Sequence, residues 1–403
     1  MSTDATATNT VATTRQLIWS ATFSLRALKR ALPLLKPEHN KIPITNSVLI
    51  EADPKGAHNL VLESLTGSPF FTYGISRVRI QSYMEHGDVA SKPMVMPYEA
   101  FQALTKHKID NDTSMELRAY SDNTIEAIYG RSTNTIKLMD YDDYPIIPNK
   151  TLSAPVDTVG LNAHYIAMLR QYTSKDNFRP AMNGILCNGK EYVATDGYTL
   201  LRLPRKSPAE VEPVLMQIPH KQKLIGEGTY FFTQRENNWN GMFCTDRNMT
   251  HELLLPSSED KFPAYENVIP DKTDHTVCIT QATALELQQK MQYIAKIASS
   301  IKDDIVTPMI MTFTAEAIAL EFTHENIRVH ESFPLEQEAT SLTGTQMRIG
   351  FNPEYMTKVL NPLTHSDNEN HRVYIGVSSP LRAAIFYDCR LEKCALIMPM
   401  RLA

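Results

Sequence analysis

The sequence predicts an α+β protein built from three similar domains, each with two helices packed on antiparallel sheet. Three observations carry this. Two proline-containing connectors resemble each other, "DYDDYPIIPNK" at 140–150 and "DKFPAYENVIPDK" at 260–272. Each has an acidic lead, an aromatic–Pro step, an Ile–Pro pair and a closing Lys, and the prolines forbid helix and interior strand. Each is followed by a short strand-like run and then by apolar residues at helical spacing, an order repeated in "LIWSATFSLRALKRALPLLK" near the N-terminus. The third observation is the alternating apolar–polar runs between the helices, which read as strands.

Residues 1–16 are rich in Ser, Thr and Ala without an apolar stretch, and are expected to be a disordered tail rather than a signal peptide. Domain 1 is placed at 17–150. Leu25, Leu28 and Leu32 mark a helix within 24–36, and a second follows Pro97 at 98–108. Its strands are "NLVLESL", "SMELRAY" and "TIEAIYG". Domain 2, 151–272, has a helix at 161–175, a shorter and weaker one at 218–226, and the strand "GTYFFTQ". Domain 3, 273–403, has a helix at 282–299 marked by Leu285, Met291, Ile294 and Ala298, and a second at 351–365 with Pro353 at its first position. Its strands are "MIMTFTA", "AIALEFT", "RVYIGV" and "AAIFYD". The repeat is far longer than a solenoid unit.

Hydrophobic residues make up 42% and charged residues 21%, the balance of a globular protein. The five cysteines, Cys187, Cys244, Cys278, Cys389 and Cys394, are odd in number and form no CxxC pair. A disulfide scaffold or zinc site is therefore not expected, and a reducing cytoplasm is favoured. No apolar run approaches the roughly 20 residues that span a bilayer.

A net charge of -5 argues against a nucleic-acid partner until its distribution is considered. The six candidate helices hold 13 Lys/Arg against three acids, Glu99, Glu286 and Glu354. Solvated helix faces explain many such runs, but here the bias recurs in all three copies. A basic helical lining within an acidic protein suits a polyanion.

Several motifs fail on inspection. "GILCNGKE" has Glu191 where a phosphate-binding loop needs a hydroxyl, and strand rather than helix follows, so "CNGK" is read as an Asn–Gly hairpin turn. "HENIRVH" lacks the HExxH spacing, and its alternation reads as a strand with surface histidines. No catalytic residue, metal ligand or cofactor is assigned. "TDGY" (195–198) is first a hairpin signal, but its glycine also permits another chain to approach closely.

The segments "RPAMNGILCNGKEYVATDGYTLLR", "EDKFPAYENVIP" and "IMPMRL" together resemble the bacterial-type DNA sliding clamps, the beta subunits of DNA polymerase III holoenzyme. They stand in family order, and the layout covers 17–403. The resemblance implies three clamp domains per chain, two chains paired head to tail as a closed ring, helices facing DNA and no enzymatic activity. It implies binding of double-stranded DNA, the replicative DNA polymerase, the clamp loader, and repair polymerases and other clamp-binding peptides. Candidates to face phosphates are Arg26, Lys29, Arg30, Lys106, Arg170, Lys175, Arg179, Lys221, Lys290 and Lys296. The family's peptide pocket maps onto Met182, Thr195, Gly197, Tyr198, Thr199, Leu200, Pro263, Val268, Leu396, Met398, Pro399, Met400, Arg401 and Leu402. Methionine suits such a site because its flexible side chain adapts to different ligands. Ring closure maps onto Asn134, Ile136, Lys296 and Ile297.

Departures from the pattern are specific. Tyr198–Thr199 stand where many members have His–Arg, and Asn267 stands where Arg is common. Asn134 and Lys296 replace apolar neighbours at the ring contact, and Lys296 cannot both close the ring and face DNA. Two readings stay open, a closed processivity ring and a non-ring DNA-binding scaffold built from clamp domains.

Overall fold

The structure, a computed structural model, describes residues 15–37, 42–53, 59–66, 74–86, 93–106, 113–145, 160–176, 178–206, 212–234, 239–247, 249–257, 260–270, 272–301, 306–342, 346–364, 371–388 and 393–402. Most of the expected N-terminal tail, Cys389 and the junction expected at 150/151 lie outside them. The chain divides into two compact units. One takes Met1–Ala154, Pro219–Arg235 and Gly241–Pro256; the other takes Pro155–Ile218, Glu236–Asn240 and Ser257–Ala403.

The first unit holds two antiparallel sheets. One runs Tyr83–His86, Leu17–Ser24, Ser114–Tyr120, Thr124–Tyr129, Ser132–Lys137 in spatial order. Ser114–Tyr120 and Thr124–Tyr129 alternate buried and half-buried residues, as half-buried strands should. The second runs Thr229–Gln234, Trp239–Asp246, Met249–Pro256, Gly74–Gln81, Asn59–Thr66, Ser47–Ala52, Met94–Pro97. Its central pair therefore joins strands from distant parts of the chain, with Glu252 opposite Arg77 and His251 opposite Val78.

Helix α1 (Leu25–Ala31) buries Leu25, Leu28 and Ala31, and α2 (Tyr98–Leu104) buries Tyr98, Phe101 and Leu104. The Tyr98 hydroxyl donates to the Leu32 carbonyl at 3.0 Å, tying α2 to the end of α1.

Two buried polar systems hold the second sheet. Arg77 reaches Glu63 at 2.9 Å and Glu252 at 3.5 Å, while Arg79 pairs with Glu252 and lies 3.3 Å from Asp53. Beside this ladder, His251 Nε2 lies 3.0 Å from Ser76 Oγ and its Nδ1 lies 2.6 Å from the Tyr230 hydroxyl. Ser76 Oγ donates to the Leu34 carbonyl, which has no proton to give, so Ser76 accepts from Nε2–H and Nδ1 accepts from Tyr230. Burial pushes His251 down to about 3, and the ring is a neutral relay.

The second unit also holds two sheets. The larger runs Val214–Met216, Ile185–Cys187, Glu191–Thr195, Thr199–Pro204, Cys394–Ile397, Ala384–Asp388, Arg372–Val377, His275–Thr280. The smaller runs Ile327–Pro334, Ala317–His324, Met309–Phe313, Met347–Phe351. Three helices are capped from their sequence. Asn162 accepts from His164 N before α3 (Ala163–Gln171), Thr280 from Thr283 N before α4 (Gln281–Ser300), and Asn352 from Glu354 N before α5 (Pro353–Val359). A one-turn helix α6 (Asn361–Thr364) follows, and the Thr364 hydroxyl donates to Gln288 of α4 at 3.1 Å.

Antiparallel sheets with few helices are as expected, and the eight runs quoted above as strands are all strands. Two local expectations fail. Residues 218–226 form no helix but a turn, closed by Gln222 N to the Pro219 carbonyl at 3.0 Å. The Gln222 side chain is drawn into the core instead, donating to Leu34 O and accepting from Thr66 Oγ1. "HENIRVH" is not one strand: Ala317–His324 ends and Ile327–Pro334 begins around Glu325, whose φ of 44° makes it a turn residue. No helix among the described residues is long and apolar enough to cross a membrane.

Candidate functional site

The "TDGY" segment is a tight turn between the strands Glu191–Thr195 and Thr199–Pro204. Asp196 Oδ1 organises it, accepting from Tyr198 N at 2.9 Å, Thr199 N at 2.6 Å and the Thr199 hydroxyl at 2.9 Å. Thr195 adds a bond from its hydroxyl to the Thr199 carbonyl at 2.8 Å and accepts from Gly197 N. Gly197 has φ +87°, a backbone state that side chains rarely adopt. A Cβ on it would lie 3.3 Å from Arg179 Nη1 and 3.8 Å from Met182 Sδ, so both residues close on the turn.

The strand after the turn pairs with Cys394–Ile397, setting Leu200 opposite Leu396. Met398 N still donates to the Tyr198 carbonyl at 2.8 Å. Pro399 has no N–H to continue that ladder. The chain crosses instead to the smaller sheet, where Met400 N donates to the Gly350 carbonyl at 2.7 Å. Glycine gives Leu402 its place there: a Cβ on Gly350 would lie 2.6 Å from Leu402 Cδ2 and displace that side chain.

Leu186, Val193, Leu200, Tyr265 and Leu396 form one buried cluster, with Phe262, Ile269 and Ala383 packed against it. Tyr265 starts the 3₁₀ turn Tyr265–Val268 that displays Val268. Its hydroxyl donates to Glu191 Oε1 at 2.5 Å and accepts from Asn188 Nδ2 at 3.1 Å. Burial, then Glu191, raise the Tyr265 phenol well above its ordinary range. Around this cluster Tyr198, Val268, Met398 and Leu402 are exposed by 51%, 49%, 39% and 37%. Pro263, Met182 and Met400 are half-buried, and Arg401 is exposed. One unit thus gathers side chains from three separate sequence segments into an apolar patch.

Sequence reasoning missed Tyr355 and Lys358 of α5. Tyr355 stacks on Tyr198 with centroids 5.3 Å apart and planes at 16°. Lys358 donates to Asp196 Oδ2 at 2.8 Å and to the Gln171 carbonyl at 2.9 Å, over the ring of Tyr172. Burial lowers its ammonium, and Asp196 opposes that shift. The available signal was the i, i+3 spacing of Tyr355 and Lys358 on one helix, which alone does not say what they face.

The basic candidates fall into different settings. In the first unit Arg26 and Lys106 are exposed, and Lys29 and Arg30 are half-buried, with Arg30 paired to Asp246. Lys221 is exposed on the turn, not on a helix. In the second unit Lys175, Arg179 and Lys296 are exposed. Arg170 is buried, and desolvation lowers it to about 10. Lys290 is bridged to Glu331 at 2.5 Å. Of the residues mapped to ring closure, Asn134 and Ile136 lie half-buried on Ser132–Lys137, the terminal strand of its sheet, and Asn134 donates to the Tyr129 hydroxyl at 3.1 Å. Ile297 is half-buried on α4.

Among the described residues no group of His, Cys, Asp and Glu could hold a metal ion. Four described cysteines, Cys187, Cys244, Cys278 and Cys394, are buried and form no disulfide, and burial raises Cys244 and Cys394 to about 11.

No protein-family model matches the chain. The beta sliding clamp of Pseudomonas putida is 22% identical over 402 residues, covering 94% of this chain and 99% of that protein. The crystal structure of the DNA polymerase III subunit beta of Pseudomonas aeruginosa superposes with a TM-score of 0.72 at 18% identity, over 95% of this chain and 100% of that one. The beta subunit from the DNA polymerase of Streptococcus pyogenes gives 0.71 at 16% identity, with coverage of 95% and 100%. Along nearly its whole length the chain is similar in sequence and in fold to bacterial beta sliding clamps.

Proposed function

We propose that this chain is a DNA sliding clamp, a non-enzymatic processivity factor that encircles duplex DNA and tethers the replicative polymerase to it. The single observation that carries the reading is the apolar patch at the Thr195–Leu200 turn. The relatives named above supply the expectation of DNA and a polymerase, and this patch gives a partner segment somewhere to dock. On this reading Met182, Thr195, Gly197, Tyr198, Thr199, Leu200, Pro263, Val268, Leu396, Met398, Pro399, Met400, Arg401 and Leu402 receive short segments of the polymerase, the clamp loader and repair polymerases. Tyr198, Met398 and Leu402 already expose apolar surface for that purpose.

Three clamp domains, 17–150, 151–272 and 273–403, and two chains per ring complete the proposal, with the cytoplasm as its compartment. Asn134, Ile136 and Ile297 serve closure. Lys296, exposed on α4, serves either closure or DNA. Arg26, Lys29, Arg30, Lys106, Arg170, Lys175, Arg179, Lys221 and Lys290 supply positive charge toward phosphates, loosely and without reading sequence. Arg170, Arg30 and Lys290 are the weaker members, the first for burial and the others for their acidic partners.

Loading onto circular DNA tests the reading. Retention on a nicked circle and release on linearisation is the expected result. Equal retention on both forms would leave a non-ring DNA-binding scaffold.

A further inference from the structure

We propose that Phe178 is a stacking platform for an unpaired base of single-stranded DNA. The inference rests on the DNA reading above and adds a second form of the nucleic acid to it.

Phe178 is 95% exposed, the most exposed large apolar side chain among the described residues. A tied turn holds it out. Phe178 N donates to Asp176 Oδ1 at 2.9 Å, Asp176 N to Ser174 Oγ at 3.0 Å, and Arg179 N to the Asp176 carbonyl at 3.1 Å. Ser174 N to the Met182 carbonyl and Met182 N to the Arg179 carbonyl, both at 2.9 Å, close the segment on itself. Thr173 and Ser174, at the start of the segment, are buried. Covering a phenyl ring contributes roughly 1.5–3 kcal/mol. A ring on a slack loop gains this by folding down, whereas this backbone keeps the ring in water until something covers it.

The surrounding charge selects what that is. Lys175 and Arg179 stand on either side of Phe178 in the sequence, and both are exposed. The one carboxylate within the turn, Asp176, accepts from Phe178 N and lies 3.8 Å from Arg179 Nε with 46% of its side chain exposed, so residues 175–179 keep a single net positive charge. Arg179 leans toward Gly197 yet keeps about half of its side chain exposed, at 52%. An exposed aromatic side chain with exposed cations close by along the chain matches a nucleic-acid single strand, with a base on the ring and phosphates on the cations. An apolar peptide has no use for the cations, and an intact duplex offers no free base face. Where a duplex gives way to single strand, both forms meet the same surface.

The test is fluorescence anisotropy with three labelled probes: an oligothymidine strand, a duplex of equal length, and an abasic strand of equal length. Phe178→Ala should weaken binding of the oligothymidine strand roughly five- to a hundredfold and leave the duplex unchanged. Phe178→Trp should restore single-strand binding, and the abasic strand should not distinguish wild type from Phe178→Ala. Lys175→Ala should weaken strand and duplex alike and flatten the salt dependence. Unchanged single-strand binding by Phe178→Ala, equal weakening on strand and duplex, or no single-strand binding by wild type each overturns the stacking site. Loss of topological retention with the single-strand effect intact sinks the ring alone. Retention with Phe178→Ala indifferent to single strand sinks the stacking site alone.

Discussion

Lys358 and Asp196 stand 2.8 Å apart beneath the stacked rings of Tyr198 and Tyr355. The two carboxylate oxygens of Asp196 have divided duties. One holds the backbone of the Gly197 turn, and the other holds the ammonium that also binds the end of α3. A turn and two helices therefore share one charge pair, with Tyr198 placed as their exposed product.

Asp196→Asn keeps an oxygen for the turn and removes the charge facing Lys358. An ammonium left without its partner in this enclosed position should cost about 2 kcal/mol. That is below the cost of a fully buried pair, because 11% and 15% of the two side chains stay exposed. Lys358→Met, of similar length and without charge, should cost less. Urea unfolding of both variants decides it, and the reverse order would refute the division of duties.

The ladder Glu63–Arg77–Glu252 makes a stronger demand, because Arg77 and Glu63 side chains are only 5% and 1% exposed. Arg77→Met strands Glu63 in the sheet and should destabilise by about 3–5 kcal/mol. Arg77→Met with Glu63→Leu should recover a large part of the loss. A double variant no better than the single would show that the strands do not depend on this pairing.

His251 gives a pH dependence with a definite sign. Its folded pKa is depressed to about 3, whereas the unfolded chain takes up the proton near the ordinary value of about 6.5. The unfolded state therefore binds more protons between those values, and stability falls as pH drops from about 6.5 toward 3. Between pH 7 and 5 the loss from this group is about 2 kcal/mol. Comparing urea midpoints of wild type and His251→Gln at the two pH values isolates it, and the variant should show the shallower slope.

Deleting residues 399–403 removes Met400 and Leu402 while keeping the strand Cys394–Ile397. Capture of the cognate replicative polymerase on immobilised protein should fall at least about tenfold, from two lost apolar contacts. Retention on circular DNA should persist. Gly350→Val should reproduce the binding loss, since even a Cβ at that position would collide with Leu402. Full polymerase capture by either variant would remove the tail from the docking site.

Much of this was legible where the chemistry is local. The strand "CALI", the break at Pro399 and the hairpin turns at Asn188–Lys190 and Asp196–Tyr198 follow from a short continuous apolar run, a missing N–H and turn residues. The failures are long-range. Residues 218–226 have some helical pattern, but Gln222 gains more from Leu34 and Thr66, far away in sequence, than from a helical turn. In the same way Tyr355 and Lys358 of α5 meet the Gly197 turn, and Gly350 meets Met400, only through contacts between elements far apart in the sequence. Arg170 looked like its basic neighbours, yet its place on α3 turns it into the protein.

The pairing of Thr199–Pro204 with Cys394–Ile397 also bears on how the protein is made. These strands adjoin in the sheet but lie far apart along the chain, so this seam is among the slower contacts to form. Until it closes, Leu200, Leu201 and Leu203 on one side and Ala395, Leu396 and Ile397 on the other belong to open, apolar strand edges. Those edges are the part of the newborn protein most exposed to pairing with the wrong chain, and the part a chaperone would need to shield.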